Sequence, residues 1–394
     1  MHLLVLNAGS SSLKYELFSA DAAGNLTSLT DGLLERIGEP GSAIRDHGLA
    51  LSQVVTRIEQ LRRCDSEPLG AIGHRVVHGG EAFDRPVRIS DDVLAGIERA
   101  AILAPLHNPP ALAGIHAARA MLPDVPQVAV FDTAFHQSMP PEAYRYALPE
   151  WCYEKFAIRR YGMHGTSHAY VSRRAAALLG REPSMTNVIT LHLGNGASAA
   201  AVAAGQCVET SMGFTPLEGL VMGTRSGDLD PAIPGYLAAH AGLDLTQATE
   251  LLIRHSGLKG LCGDSDMRTV LSRADRGDSR AELAIGVYCH RIRKYIGAYA
   301  AVLGRLDALV FTGGVGENAV EIRARVCNGL DMLGLRLDSA RNQDCGRRGE
   351  QDVSEENSPA RILVIPTDEE REIATQALGL LRPATNSALR KTRS

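Results

Sequence analysis

The chain is poor in the features that mark several classes of protein. Its seven cysteines are scattered and form no C-x-x-C pair, which argues against a disulfide framework or a zinc site and favours a reducing compartment. No apolar run approaches the roughly 18 residues that a membrane-spanning helix needs. Lysine and arginine number 41 against 45 acidic residues, and the formal net charge of -4 gives no support to a nucleic-acid surface. No low-complexity segment interrupts the chain.

A secretory signal is not expected either, because Met1 leads directly into a strand-like segment without a basic region or a cleavage site. We therefore expect a cytoplasmic protein that binds neither a membrane nor nucleic acid. A length of 394 residues exceeds what one hydrophobic core usually organises, so two domains are expected.

Two segments about half a chain apart follow the same pattern. Residues 3–12 and 188–198 are each an apolar run that ends in asparagine, glycine and small hydroxyl residues. Such a turn leaves backbone N–H groups exposed, and phosphate is the ligand that it usually binds. A third glycine-rich turn, at 313–318, also follows an apolar run. The repetition predicts a duplicated fold that holds the phosphates of a nucleotide in the cleft between its halves.

The hydrophobic periodicity predicts strands that alternate with helices, which is typical of an α/β architecture. The expected strands are 3–8, 13–18, 71–77, 127–131, 188–203, 308–312 and 361–366. The expected helices are 51–64, 91–103, 167–179, 235–256, 279–304, a segment ending near residue 333, and 368–382. Proline-rich turns at 140–149 place the end of the first domain near residue 150.

Two arginines stand among apolar or small residues, namely Arg75 and Arg225. A buried charge is costly unless it is paired, and the arginine fork binds carboxylates and phosphates in two-point fashion. Each arginine could therefore bind an anionic substrate or form an internal salt bridge. The candidate partners in such a bridge are Asp132, Asp228 and Asp230.

His164 and His168 have the spacing of a metal-binding helix. The glutamate of an H-E-x-x-H motif is missing, and Gly165 is a poor helix residue, so zinc is disfavoured. A histidine that donates a hydrogen bond to an anionic transition state is the favoured interpretation. Lys14, just after the first turn, could reach a phosphate as a point charge or lie exposed on a strand.

Several of these segments together resemble the acetate kinase family. Residues 7–14 resemble its first signature, residues 161–168 its second, and residues 212–228 a long family block; residues 131–136 and 312–318 also match. The matches extend from residue 3 to about residue 377. The resemblance implies a duplicated actin-like, ribonuclease H-like α/β fold, with two domains and an interdomain cleft, in the superfamily of sugar kinases, heat-shock ATPases and actin.

The implied domains are an N-terminal one at 1–150, completed by a C-terminal helix at about 368–394, and a nucleotide-binding one at 151–367. The implied reaction is the reversible transfer of a phosphoryl group from ATP to acetate, which gives acetyl phosphate and ADP. The family also implies magnesium, with manganese as a possible substitute, and a homodimer.

The resemblance further implies roles for individual residues. Asn7 and Glu369 are expected to hold magnesium, and Arg75 the substrate carboxylate. His164 and Arg225 are expected to stabilise the transferring phosphoryl group. The residues expected to bind the nucleotide are Lys14, His192, Leu193, Gly194, Asn195, Gly196, Asp266, Met267, Arg268, Gly314, Val315, Gly316, Glu317 and Asn318.

Asp132 matches the catalytic aspartate of the family. A carboxylate substrate is already ionised at neutral pH, so no base is needed to remove a proton from it. We therefore expect Asp132 to orient Arg225 or to help position magnesium-bound groups.

Other functions remain open. One is a kinase for propionate or another short acid, with Val77, Leu106 and Pro216 as the apolar wall of its pocket. Another is an ATP-gated binding protein of the actin or heat-shock type, although no added binding domain is evident. A dinucleotide-dependent dehydrogenase is disfavoured because no G-x-G-x-x-G motif follows a strand in the required unit.

Overall fold

The computed structural model describes residues 1–62, 67–105, 107–345 and 349–382. They belong to two compact units, one formed by Met1–Ala134 with the chain from Glu369 onward, the other by Phe135–Asp368. Residues 383–394 of the expected C-terminal helix and Leu106 of the expected apolar wall lie outside the described residues. The domain limits near residues 150 and 367 remain predictions. Among the helices that are described, none combines the length and apolar character needed to cross a membrane.

A six-stranded mixed sheet forms the centre of the first unit. Its strands are β1 (His2–Ala8), β2 (Ser12–Ala20), β3 (Leu26–Glu35), β4 (Leu69–Val76), β5 (Val87–Arg88) and β6 (Gln127–Phe131). They lie in the order β3-β2-β1-β4-β6-β5. Three adjacent strands, β1, β4 and β6, are parallel, whereas β2, β3 and β5 pair antiparallel with their neighbours.

The second unit contains a sheet of the same design. Its strands are β7 (Asn187–Leu193), β8 (Ala197–Ala203), β9 (Gln206–Thr210), β10 (Ala308–Thr312), β11 (Gln351–Asp352) and β12 (Arg361–Val364). Their order is β9-β8-β7-β10-β12-β11, with β7, β10 and β12 parallel and the remaining pairs antiparallel. Strand for strand, this order and these directions repeat those of the first sheet. The duplication inferred from the two similar turns is therefore confirmed.

Burial explains which strands were predictable. Every residue of β6 and of β10 is buried, and such inner parallel strands have nearly continuous apolar sequences. The edge strand β3 alternates between partly buried and exposed residues and contains threonine, serine and aspartate. The strand β3 was not predicted, because its mixed composition contains no apolar run.

Helices cover the sheets or connect their strands. They are α1 (His47–Arg62), α2 (Asp91–Ala100), α3 (Asn108–Met121), α4 (Pro141–Tyr144), α5 (Glu150–Phe156), α6 (Gly165–Leu178), α7 (Ile233–His240), α8 (Leu245–Arg254), α9 (Gly257–Cys262), α10 (Met267–Asp275), α11 (Ser279–Leu303), α12 (Gly313–Asn318), α13 (Val320–Cys327), α14 (Ser339–Asp344) and α15 (Glu369–Leu381). The last helix, α15, packs on the first sheet: Ile373 and Ala377 share a core cluster with Leu3, Val5 and Val128.

The helical segment expected at 235–256 contains two helices, because Asp244 forms a capping box with Gln247 and starts α8. One helix prediction needs correction. The helix expected to end near residue 333 ends at Cys327 and is followed by a short 3-10 turn. The glycine-rich turn at 313–318 is itself one short helix, α12.

Candidate active site

In the first unit, three polar side chains meet where the parallel strands end. Asn7 lies near the end of β1, Arg75 near the end of β4, and Asp132 directly follows β6. Because neighbouring parallel strands have their carboxyl ends at the same edge of a sheet, these residues are brought together although they are far apart in sequence.

Arg75 forms an ion pair with Asp132 in this group. Its Nη2 donates to Asp132 Oδ2 at 2.6 Å and its Nε donates to the same oxygen at 3.1 Å. Only 1% of the Asp132 side chain is exposed. Of the two roles left open for Arg75, the internal salt bridge is thus present. It does not exclude the other role, because a guanidinium has five N–H donors and part of the fork remains for a second carboxylate.

Glu370, on α15, joins the same group. Its carboxylate accepts from Lys14 Nζ at 2.7 Å and from Asn7 Nδ2 at 3.4 Å, while Asn7 Oδ1 accepts from Arg75 Nη1 at 3.3 Å. Lys14 is brought to this position because β2 pairs with β1 in a register that sets it opposite Asn7. Lys14, expected among the nucleotide-binding residues, therefore lies with the carboxylates of the first unit.

The charges in this group do not balance. Burial alone would lower the pKa of Arg75, but the charges of Asp132, Glu369 and Glu370 outweigh it and raise that pKa. Burial raises the pKa of the Glu369 carboxyl, the charge of Arg75 opposes this, and Asp132 and Glu370 raise it further. Three carboxylates thus face two cations, Arg75 and Lys14.

This surplus of negative charge, with the amide oxygen of Asn7 nearby, fits a magnesium ion. Magnesium prefers oxygen ligands and usually takes one or two carboxylates together with water. Asn7 and Glu369 were the expected ligands, and the neighbouring Glu370 contacts Asn7 directly. A further cation would relieve the repulsion that raises the pKa of Glu369.

In the second unit, His164 and Arg225 converge on the turn between β7 and β8. A Cβ atom placed on Gly196 would lie 3.5 Å from His164 Cε1 and 3.6 Å from Arg225 Nη2. The backbone of Gly196 is thus bordered by an imidazole and a guanidinium. This small space with a fixed cation can accept an anion such as a phosphoryl group.

Arg225 is half-buried, and no carboxylate among the described residues forms an ion pair with it. Its Nη1 donates to the carbonyl oxygen of Pro216 at 2.9 Å, and burial lowers its pKa. Asp228, a candidate partner, instead accepts from Gly219 N at 2.8 Å and from Tyr295 Oη at 2.9 Å. Within this part of the chain, the salt-bridge interpretation therefore fails for Arg225, and its charge is available to a ligand.

His164 is held in an unusual backbone conformation before α6, with φ of 59°. A residue other than glycine in the left-handed region costs about 1–3 kcal/mol and is typical of functional sites. Its Nδ1 lies 2.8 Å from Ser198 Oγ, and its ring stacks on His192 at 4.3 Å between centroids. These contacts fix the direction in which the ring points toward Gly196.

His168 lies behind His164 and is buried. It contacts Thr190 Oγ1 at 2.7 Å and Ser198 Oγ at 2.8 Å. Burial, with the nearby His136 and His192, lowers its pKa well below the ordinary value. His168 is therefore a neutral, hydrogen-bonded core residue that also fixes Ser198.

A pocket of about 710 Å³ lies within the second unit, in the size range of small-molecule sites. It opens where the turns after the parallel strands β7 and β10 meet at one edge of the sheet. Eight of the residues expected to bind the nucleotide line it: Gly194, Asn195, Asp266, Met267, Arg268, Gly314, Val315 and Asn318. Five further lining residues were not predicted: Leu258, Ser265, Leu271, Tyr288 and Ala319. These five residues belong to no motif that the sequence analysis could recognise.

The pocket combines two kinds of surface. Leu258, Leu271 and Val315 give it an apolar wall, whereas the turns at 194–195 and 314–318 offer backbone and amide groups. Gly313 allows the close approach of these turns, since a Cβ there would lie 2.8 Å from the carbonyl oxygen of Leu193. A ligand with a flat apolar ring and a phosphate tail matches this division.

The other expected nucleotide-binding residues do not line the pocket. Those in the second unit are His192, Leu193, Gly196, Gly316 and Glu317. Glu317 instead caps its own turn, because its Oε1 accepts from Gly313 N at 2.9 Å and from Thr367 N at 3.2 Å. In this structure the Glu317 carboxylate therefore stabilises the glycine-rich turn.

Comparison with known proteins identifies close relatives over nearly the whole chain. A model of the acetokinase family matches residues 2–375. The acetate kinase of Syntrophobacter fumaroxidans is 49% identical over 406 residues, which cover 98% of each protein. The crystal structure of Porphyromonas gingivalis acetate kinase is 42% identical with a TM-score of 0.90, and it covers 97% of this chain and 100% of that one.

A solved propionate kinase from Francisella tularensis is also similar, with 42% identity and a TM-score of 0.87 over 96% of this chain and 99% of that one. The likeness to these kinases and the repeated strand order confirm the duplicated actin-like α/β fold that the resemblance implied.

The space beside Gly196 yields a test of anion binding. In Gly196→Ala the added methyl group makes only ordinary contacts with His164 and Arg225, so the free energy of unfolding should stay within about 1 kcal/mol of the wild type. The methyl group occupies the space that an anion would use, so the affinity for inorganic phosphate, measured by calorimetry, should fall about 10-fold or more.

Gly297→Ala is the control, because this exposed glycine on α11 has no atom within 4 Å of the added methyl group. It should leave phosphate binding unchanged. Unaltered phosphate affinity in Gly196→Ala would contradict an anion site at this turn.

Proposed function

The chain belongs to the acetokinase family, and on this premise we propose that it is a reversible kinase that transfers a phosphoryl group from ATP to acetate. The products are acetyl phosphate and ADP. The structural observation that carries the proposal is Arg225, a half-buried cation without a carboxylate partner among the described residues, which borders Gly196 together with His164. Such an arrangement suits an anionic ligand, which neutralises the charge of Arg225 only while it is bound.

The chemistry requires positioning and neutralisation of charge more than proton transfer. Acetate attacks through an oxygen that is already ionised, so no general base is needed. In the transition state, negative charge spreads over the oxygens of the transferring phosphoryl group. Arg225 and His164 are the groups proposed to stabilise it, as preformed donors that need no rearrangement during the reaction.

Arg75 is proposed to bind the carboxylate of acetate with the part of its fork that Asp132 does not occupy. Asp132 then acts as a positioning residue, because it holds the Nε and Nη2 side of that guanidinium. This role replaces the expectation that Asp132 orients Arg225. It also accounts for a buried aspartate in a reaction that needs no base.

ATP is proposed to bind in the pocket of the second unit, with its base against the wall of Leu258 and Leu271. Its phosphates would lie along the pocket-lining residues of the two turns, which are Gly194, Asn195, Gly314, Val315 and Asn318. Magnesium, with manganese as a substitute, would be held by Asn7 and Glu369 together with Glu370. When bound, it neutralises phosphate charge. In-line transfer needs both substrates held at once; the first unit supplies the groups for the carboxylate and the second those for the nucleotide.

The setting and assembly are proposed as well. Six buried cysteines among the described residues form no disulfide, which supports a reducing, cytoplasmic compartment. A homodimer is proposed from the family resemblance alone.

The main alternative is the same reaction with a different short-chain carboxylic acid as the substrate. The similarity to a propionate kinase supports propionate, which has one more methylene than acetate, as a second substrate. A pocket distinguishes substrates that differ by one methylene by only about 1–3 kcal/mol. An ATP-gated binding protein is less well supported, because such a protein has no use for a carboxylate-binding arginine.

Trapping the acyl phosphate tests the function directly. The protein is mixed with magnesium, ATP, hydroxylamine and acetate, propionate or butyrate, and the hydroxamate is measured as its coloured iron complex. We expect product with acetate, and with propionate at a rate about 10-fold lower because of the added methylene. A faster reaction with propionate would favour the alternative substrate, and ADP release without hydroxamate from any acid would contradict the proposed reaction.

Replacing Arg225 tests the proposed transition-state role. Arg225→Gln should lower kcat about 1,000-fold, as does the loss of an arginine that stabilises a transferring phosphoryl group. KM for ATP and acetate should change much less. The control is Arg276→Gln, an exposed arginine whose Nε donates to Ser272 O. A rise in KM with kcat unchanged would refute this role for Arg225.

A further inference from the structure

The loop that positions Arg225 is fixed by a partly buried polar group outside the pocket. This group consists of Tyr146, Arg160 and Glu218, and we call it the loop anchor. Arg160 Nη2 donates to Glu218 Oε1 at 2.6 Å, and the Tyr146 hydroxyl donates a short hydrogen bond to Glu218 Oε2. Arg160 also donates to the carbonyl oxygen of Thr210 at 2.8 Å. The anchor therefore ties the loop to the end of β9.

The Tyr146 hydroxyl makes a second bond to the same loop. It accepts from Phe214 N at 2.9 Å, so one oxygen atom holds both Phe214 and Glu218. Between these two residues lies Pro216, whose carbonyl oxygen accepts from Arg225 Nη1 at 2.9 Å. The segment that holds the Arg225 side chain is thus fixed on both sides by one phenol.

The charges of the anchor keep it intact. Burial, the charge of Glu218 and the hydrogen bond to it raise the pKa of Tyr146, so the phenol remains a proton donor at any working pH. Burial would lower the pKa of Arg160, but the charge of Glu218 outweighs it and raises that pKa. A partly buried ion pair with hydrogen bonds on both partners is a stiff support for a loop.

Resting on the proposed function of Arg225, we propose that Tyr146 is a positioning residue for phosphoryl transfer, which acts through Glu218 and Pro216 on the Arg225 guanidinium. Tyr146 does not line the pocket and does not touch the residues that border Gly196 in the contacts described above. Its effect is on the placement of a charge, and a displacement of about 1 Å at a reacting group can cost about 100-fold in rate.

Tyr146→Phe removes the hydroxyl and keeps the ring. We expect kcat to fall about 10- to 100-fold, while KM for ATP and for acetate stays within about 3-fold. The control is Tyr161→Phe, because Tyr161 also lies near Phe214, but it is fully buried and its hydroxyl donates to Ala157 O at 2.9 Å. Tyr161→Phe should keep kcat within about 3-fold of the wild type, and both variants should unfold at similar temperatures.

A double-mutant cycle separates positioning from general loosening of the fold. If Tyr146 acts through Arg225, then Tyr146→Phe should cause no further loss of kcat in an Arg225→Gln background. Losses of kcat that multiply in the double variant would overturn the inference, as would unchanged kcat in Tyr146→Phe.

The same double-mutant cycle can be measured through the binding of inorganic phosphate, which does not depend on turnover. By calorimetry, Tyr146→Phe should weaken the binding of inorganic phosphate in the wild-type background and leave it unchanged in Arg225→Gln. If this coupling is found but the wild type produces no hydroxamate from any acid, the proposed reaction fails and the positioning role stands. If neither turnover nor phosphate binding depends on the Tyr146 hydroxyl, the positioning role fails.

Discussion

The proposed activity depends on one electrostatic constraint: the half-buried guanidinium of Arg225, with which no carboxylate among the described residues forms an ion pair. Removing a charge from water is unfavourable unless a partner of opposite sign compensates it. Arg75 meets this condition with Asp132 inside its own unit, whereas Arg225 is held by a backbone carbonyl and burial lowers its pKa. An anionic ligand would supply the missing charge, and we propose that the transferring phosphoryl group is that ligand.

The topology explains how each unit assembles its polar groups. In both sheets three adjacent strands are parallel, so the residues after them meet at one edge. In the first sheet this edge collects Asn7, Arg75 and Asp132, and in the second it collects the turns at 194–196 and 313–318. The duplicated fold thus provides one edge rich in charged side chains and another rich in backbone donors.

Much of this could be predicted from the sequence, because strand-ending glycine turns and arginines among apolar residues are local signals. Five of the eight predicted pocket residues belong to such turns, whereas Asp266, Met267 and Arg268 were expected only from the family resemblance. The contacts between residues far apart in the sequence were harder to predict. Glu370 contacts Lys14 across 356 positions of sequence, and Tyr146 contacts Glu218 across 72 positions, so neither pair has a local pattern. Glu317 was assigned to the nucleotide because the sequence shows its position but not that its carboxylate bonds to its own turn.

The most direct measurement compares the binding of a transition-state mimic with that of a ground-state ligand. Calorimetry would give the affinities of wild type and Arg225→Lys for ADP alone and for ADP with magnesium, fluoroaluminate and acetate. If Arg225 acts on the transferring phosphoryl group, the lysine variant, which lacks the fork, should lose about 100-fold or more in affinity for the mimic and less than about 3-fold for ADP. Equal losses for the two ligands, or none for the mimic, would contradict the account.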